Sequence, residues 1–285
     1  MSRAFRADVR PTIGNIKLKE LSRLCIIQKC LDPIKKRGGS VQANKTLSLL
    51  KQTLQFGVER GLLETNPLSG TRRINIGGKE QPRNRFLSLD EIEYFFNWLK
   101  TSTASIQVKQ SFKLLLLTGC RAQELTLSEW THIDWENKVW LFPESNRKGN
   151  KGETKDHIVP LTDPMTECLI VLKQAHKDLQ SKYVFPSTTG QVGQKPVDRA
   201  VCAKFLRRRF DGDQPELEME RFVPHDLRRS FQTHLSKLGV DAIVCEKLLS
   251  HELQGMLRVY NQNDYIKERE EALAEWSELV GDYIK

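Results

Sequence analysis

The sequence contains no run of eighteen apolar residues, so no segment reads as a membrane-spanning helix. Its opening stretch, Met1 to Arg10, is basic and has no apolar core, and does not read as a secretory signal. The six cysteines (Cys25, Cys30, Cys120, Cys168, Cys202 and Cys245) are scattered. None forms a CxxC pair, and no pair of histidines has zinc-finger spacing, so a structural zinc site is not expected. They read instead as reduced, mostly buried thiols of a cytosolic protein. A Walker motif, an internal repeat and a low-complexity tract are also missing. These absences exclude a P-loop nucleotide enzyme, a disulfide-stapled secreted domain and a solenoid.

The positive charge that is present is unevenly placed. The net charge is +9, but residues 1–83 hold 17 Lys and Arg against 6 Asp and Glu, a surplus of 11. Residues 84–285 hold 28 against 30, a deficit of 2. A small basic region beside a larger, nearly neutral one suggests a polyanionic partner, with nucleic acid favoured over a membrane surface.

Periodicity divides the chain in the same way. A helix is expected over 18–36, with Leu21, Leu24, Cys25 and Ile27 among its apolar positions. Arg37-Gly38-Gly39 breaks it, and Ser40 is placed to cap a second helix carrying Leu47, Leu50, Leu54 and Val58, with Gly61 as its stop. Residues 68–85 are rich in glycine, proline and charge and read as a linker. Ser88 before Asp90 and Glu91 opens an amphipathic helix through Leu99, and 105–117 reads as a buried helix. Strands are expected over 129–134, 138–143 and 157–161, with a long polar loop, 146–156, before the third. The remainder is helical: one helix after Thr162 or Asp163 with Pro164 near its start, then others over 197–210, 226–238, 241–249 and 264–279. The expected fold class is therefore α+β, with a mostly helical domain (86–285) around a small antiparallel sheet. A small all-α domain (1–67) and the linker precede it.

Four short segments of the larger domain carry chemistry. Thr118-Gly119-Cys120-Arg121 puts an arginine after a glycine turn and at a helix start, where free amides and a guanidinium could hold a phosphate together. His225 and Arg228, in Pro224-His225-Asp226-Leu227-Arg228-Arg229, lie three apart and share one face of a helix's first turn. His251, in Leu248-Leu249-Ser250-His251, sits at a helix end. Tyr260 follows nine residues later. Each alone has a bland explanation, from a solvated arginine to a structural tyrosine.

In this order and spacing, with a hairpin and basic loop after the first segment, the four resemble the catalytic domain of tyrosine recombinases of the phage-integrase kind. The resemblance covers roughly Phe86 to Trp276. Further detail is similar to bacterial prophage and genomic-island integrases: Trp140-Leu141-Phe142-Pro143 looks like their second strand, Asp156-His157-Ile158-Val159-Pro160-Leu161 like their third, and Tyr260-Asn261-Gln262-Asn263-Asp264-Tyr265 like their C-terminal motif. The resemblance implies a site-specific recombinase that cuts and rejoins duplex DNA. Tyr260 would attack phosphorus and form a 3′-phosphotyrosyl bond, with Arg121 and Arg228 on the non-bridging oxygens. His225 would act as base toward the tyrosine hydroxyl, His251 would donate a hydrogen bond to the phosphate, and Glu124 would brace the site. A lysine of the hairpin loop would protonate the leaving 5′-oxygen. No metal, cofactor or ATP is expected, since the arginines and lysine supply the charge and the covalent bond conserves the energy. The implied assembly is a homotetramer on DNA from a chain monomeric when free, with no membrane partner, in the bacterial cytoplasm at the nucleoid. The implied role is integration and excision of a prophage or genomic island.

The lysine has three candidates, Lys148, Lys151 and Lys155. Counting eight residues from Trp140 gives Lys148, whereas counting back eight from Pro160 gives Gly152, so the loop is longer than in relatives. Lys148 is preferred because the extra residues can sit at the hairpin tip, and Lys151 is the alternative. Ser250 departs from the glycine that relatives carry before the histidine, and is expected to be tolerated. Tyr265 lies off the nine-residue spacing and is expected to pack or cap the last helix. Thr12-Ile13-Gly14 and Thr65-Asn66-Pro67 look like parts of the DNA-clamping core-binding domain. That domain's first helix and the arm-site-binding domain are expected to be missing, as in a truncated gene, an expression fragment or a degenerate integrase. Two rivals remain open: a type IB topoisomerase-like enzyme, and an integrase remnant that only binds DNA.

Overall fold

A computed structural model of the chain describes residues 3–147, 155–211, 216–251, 261 and 263–285. Lys148, Lys151 and Tyr260 lie outside the described residues. The chain divides into two compact units, Met1–Asn84 and Arg85–Lys285. No described helix is long and apolar enough to cross a membrane.

The smaller unit is helical. Leu18–Glu20 forms a separate 3-10 turn, and the helix proper starts at Arg23, where the Ser22 hydroxyl accepts from the Cys25 amide at 3.2 Å. Its packed face is Ile26, Cys30, Leu31 and Ile34, whereas Leu24 is 63% exposed. Leu21 and Ile27 pack at the edge of this face, and the helix carries a π turn at Ile27–Leu31. Helix α1 (Ser40–Glu59) follows and buries Ala43, Leu47, Leu50 and Leu54. Gly39, not Ser40, occupies its cap position, and no side chain caps it. Its end is as expected: Gly61 takes φ +71°, and the amides of Gly61 and Leu62 return to the carbonyls of Val58 and Gly57. The stretch beyond is held down. Leu68 and Ile76 enter the unit's core, Arg73–Ile76 forms a helical turn, and buried Asn44 bonds Gly77, Gly78 and Glu80.

The larger unit is built around a buried helix. Helix α2 (Leu89–Thr101) starts as the sequence predicts, with Ser88 accepting from the Glu91 amide and Glu91 accepting from the Ser88 amide. Helix α3 (Ile106–Thr118) follows, with Phe112 and Leu114 to Leu117 all buried. After a short helix α4 (Ala122–Thr126) come strands β1 (Ile133–Asp134), β2 (Val139–Phe142) and β3 (His157–Pro160). They form an antiparallel sheet in the order β1-β2-β3, with Trp140 opposite Val159 and Phe142 opposite His157. The first strand is shorter than expected because Trp130–His132 coils into a 3-10 turn, closed by His132 Nδ1 on the Glu129 amide.

The remaining helices are α5 (Asp163–Ala175), α6 (Val201–Asp211), α7 (Pro224–Lys237), α8 (Ala242–Leu248) and α9 (Ile266–Ile284). Pro164 lies in the first turn of α5 as expected, and α9 runs one turn beyond its predicted end because Val280 and Ile284 continue its buried face. Tyr265, at the cap position of α9, takes φ +52° and accepts from the Asn261 side chain at 2.8 Å. The mostly helical α+β fold is that expected from the sequence. All six cysteines are free, and all but Cys25 are buried.

Gly119 ends α3 at φ +60°, and a Cβ there would sit 2.5 Å from the Phe231 ring. Gly239 has φ +87° with nothing within 4 Å of such a Cβ. Gly239→Ala should therefore cost only the left-handed strain of about 1–2 kcal/mol. Gly119→Ala should add an overpacking cost of about 1–3 kcal/mol. Denaturant unfolding of both variants checks this, and equal losses would contradict the close ring contact.

Candidate active site

Three turns of the larger unit bring Arg121, His225, Arg228 and His251 together. The first is the Gly119 turn, where Arg121 caps α4. Its backbone amide donates to Glu124 Oε2 and its guanidinium Nη1 to Glu124 Oε1, both at 2.8 Å. Glu124 is fully buried, so a carboxylate that accepts only has both oxygens occupied by one arginine. Arg121 itself stays 30% exposed at the side chain.

The second turn opens α7. Pro224 starts the helix without needing an amide partner, and buried Asp226 accepts from the Val223 amide at 2.8 Å and from Arg229 at 2.6 Å. This fixes the turn that carries His225 and Arg228. Arg228 is buried, and its Nη1 donates to the Gly119 carbonyl at 2.7 Å. Its Nη2 donates to the Leu249 carbonyl at 2.6 Å and lies 2.8 Å from His251 Nε2. One guanidinium therefore ties the turn before Arg121 to the turn before His251.

The third turn follows α8. Ser250 takes φ +51°, a conformation glycine adopts freely and serine does not. His251 Nδ1 lies 2.7 Å from Glu246 Oε2, and Gln232 holds the other oxygen of Glu246 at 3.1 Å. A carboxylate only accepts and a guanidinium only donates, so the neutral ring carries its proton on Nδ1 and accepts from Arg228 through Nε2. His251 is thus engaged on both sides before any ligand arrives.

The electrostatics are those of a site short of negative charge. Burial, then Arg229 and Arg228, push the His225 imidazole below its ordinary range, with Asp226 opposing. Burial and Arg228 do the same to His251 against the pull of Glu246. Burial and then Arg121 bring Arg228 down to about 10, which leaves it charged at neutral pH. Each shift disfavours a positive form, so an entering anion would be stabilised by all of these groups at once. Among the described residues no group of His, Cys, Asp and Glu could hold a metal ion.

Two neighbours were missed in the sequence. Glu246 orients His251, and its only signal was an acid five residues upstream, on the helix that precedes the histidine. Arg147 is nearly buried, with its Nε 3.6 Å from Glu124 Oε1, and one arginine in a basic loop carries no signal of burial.

This arrangement coincides with a family match. The sequence profile of the phage integrase family covers residues 85–267. The chain belongs to the phage integrase family. Across 283 residues it is 25% identical to the prophage integrase IntA of Escherichia coli K12, covering 98% of this chain and 63% of IntA. Its identity to the integrase of Shigella phage Sf6 is 25% over 287 residues, covering 100% of this chain and 70% of that one. This family member therefore spans less than two thirds of IntA's length. A lambda integrase tetramer bound to a Holliday junction shares the fold at a TM-score of 0.60 and 20% identity, over 83% of this chain and 66% of that one.

The left-handed Ser250 generates a stability prediction. Ser250→Gly should raise the stability of the chain by about 1 kcal/mol, since glycine takes this conformation without the Cβ penalty. A shift of the urea midpoint to higher concentration with unchanged slope is expected, and a lower midpoint would contradict the strained turn.

Proposed function

We propose that this phage integrase family member is a site-specific DNA recombinase that cuts and rejoins duplex DNA through a 3′-phosphotyrosyl intermediate. The observation that carries the proposal is the convergence of Arg121, His225, Arg228 and His251, with Arg228 bonded to both flanking turns. The set suits a phosphodiester. Two fixed guanidiniums can take its two non-bridging oxygens, and their charge matters most as the pentacoordinate transition state gathers negative charge.

In the proposed reaction Tyr260 attacks phosphorus and His225 takes the phenolic proton. A phenol of ordinary pKa about 10 needs such a base near neutral pH. Burial and the neighbouring arginines keep His225 unprotonated, as a base must be. The bond from phosphorus to the 5′-oxygen breaks, and Lys148 gives that oxygen a proton, with Lys151 the alternative donor. Glu124 keeps Arg121 aimed. Phosphate entry takes over the Arg228 donor that otherwise rests on His251, and the anion's field favours protonation of the freed Nε2, which then donates to the phosphate. Rejoining reverses these steps with the 5′-hydroxyl of a partner strand, so no nucleotide triphosphate or metal is consumed.

The same proposal assigns the parts of the chain. Residues 86–285 form the catalytic domain, and the basic helical region 1–67, followed by the segment 68–85, clamps the far face of the duplex. The working assembly is a homotetramer on DNA formed from free monomers, and the lambda integrase tetramer on a Holliday junction supports it. The biological event is integration and excision of a prophage or genomic island in the bacterial cytoplasm.

The test uses the full chain and a nicked suicide duplex carrying the end sequence of the element that encodes it. A denaturation-resistant protein–DNA adduct is expected from the unaltered chain and none from Tyr260→Phe. Lys148→Ala should slow adduct formation by roughly 10²–10⁴-fold, the usual worth of a positioned acid. No adduct from the unaltered chain would overturn the recombinase reading, and normal cleavage by Lys148→Ala would move the acid to Lys151.

A further inference from the structure

Arg147 closes the strand side of the site. Its side chain is 6% exposed, which is unusual for a cation with no functional reason to be buried. Nη2 donates to the Ser250 carbonyl at 2.9 Å, Nη1 donates to the Lys155 carbonyl, and Nε stands 3.6 Å from Glu124 Oε1. The last is an ion pair rather than a hydrogen bond. The same Glu124 oxygen accepts from Arg121 at 2.8 Å. One buried carboxylate oxygen is therefore shared between two guanidiniums, and the second of them also holds the residue preceding His251.

A neutral donor could satisfy two carbonyls without the desolvation cost of a buried charge. The positive charge has a purpose against Glu124. With Arg121 as its only ion-pair partner among the described residues, a fully buried carboxylate would offset much of the charge of the arginine it braces. A second guanidinium divides that carboxylate's field, so Arg121 stays aimed by its hydrogen bond yet keeps more of its charge for a ligand. The bond to Ser250 meanwhile anchors the left-handed turn from which His251 projects.

We propose that Arg147 is a positioning residue for DNA cleavage: it shares Glu124 with Arg121 and holds the Ser250 turn, setting Arg121 and His251 at the scissile phosphate. The proposal rests on the recombinase reading above. It gives Arg147 no contact with the reacting atoms.

The test compares two nicked duplexes of the same end sequence, one with a phosphodiester at the scissile position and one with a methylphosphonate. The methylphosphonate has no charged non-bridging oxygen for an arginine to neutralise. On the phosphodiester, Arg147→Met should form adduct roughly ten- to a hundredfold more slowly at unchanged duplex affinity, the scale of a small misplacement of a catalytic group. On the methylphosphonate the deficit should shrink by about tenfold, as it should for Arg121→Ala, because the charge to be stabilised is gone. Arg147→Lys, which restores the charge but not both carbonyl bonds, should recover part of the rate. If Arg147→Met does not fold, the same ratio is read on Arg147→Lys. An equal deficit on both duplexes, or no deficit, overturns the positioning role. Absence of adduct from the unaltered chain on the phosphodiester overturns the recombinase reading itself, so the two failures are distinguishable.

Discussion

The site depends on a buried guanidinium with backbone partners. Arg228 reaches the carbonyls of Gly119 and Leu249, which belong to turns more than a hundred residues apart in sequence. Carbonyls at the ends of helices have no partner within the helix, so a cation placed there satisfies them and keeps its charge. The packing that surrounds Arg228 follows from this. Gly119 is left-handed against the Phe231 ring, Asp226 locks the first turn of α7, and Glu246 locks His251. Moving any of these three turns would strand a buried polar group, a cost of about 1–3 kcal/mol for each group left unmade.

The same economy produces the charge imbalance. Glu124, Asp226 and Glu246 each serve to orient a cation or an imidazole. The positive forms of His225, His251 and Arg228 are all disfavoured there. The apolar core, from Phe95 and Phe112 through Trp140 and Phe231 to Trp276, reaches the site through Cys120, Leu227 and Leu249, the neighbours of its charged groups. A site held so is arranged before its ligand arrives, and arrangement in advance is what makes electrostatic stabilisation effective in a transition state.

How much of this was legible in the sequence varied with the range of the interaction. The Ser88–Glu91 capping box, the Gly61 stop and Pro164 are written in adjacent letters, and they hold. Arg121, His225, Arg228 and His251 were singled out by resemblance to a family pattern, and the bonds of Arg228 join the turns that carry them. Trp140 and Val159 fell on the inner face of the sheet as alternation requires. What failed was set at longer range or by irregular backbone. Leu24 stayed exposed beside a π turn at Ile27–Leu31, and Gly39 rather than Ser40 took a cap position. The bonds of Asn44 to Gly77, Gly78 and Glu80 carry no signal in composition. Arg147 looked like its basic neighbours until folding placed it on Glu124, and the left-handed cost of Ser250 is invisible without the turn.

Arg228 and His251 are bonded to each other in the DNA-free chain, and in the proposed reaction a phosphate takes over that bond. Nitrogen-15 NMR of the imidazole side chains tests it most directly. In the free chain at neutral pH, His251 should be neutral, with its proton on Nδ1 and a titration midpoint below the ordinary histidine value of about 6.5. Binding a duplex should place a proton on Nε2 as well. A free-state ring that is already doubly protonated, or that carries its proton on Nε2, would contradict the account.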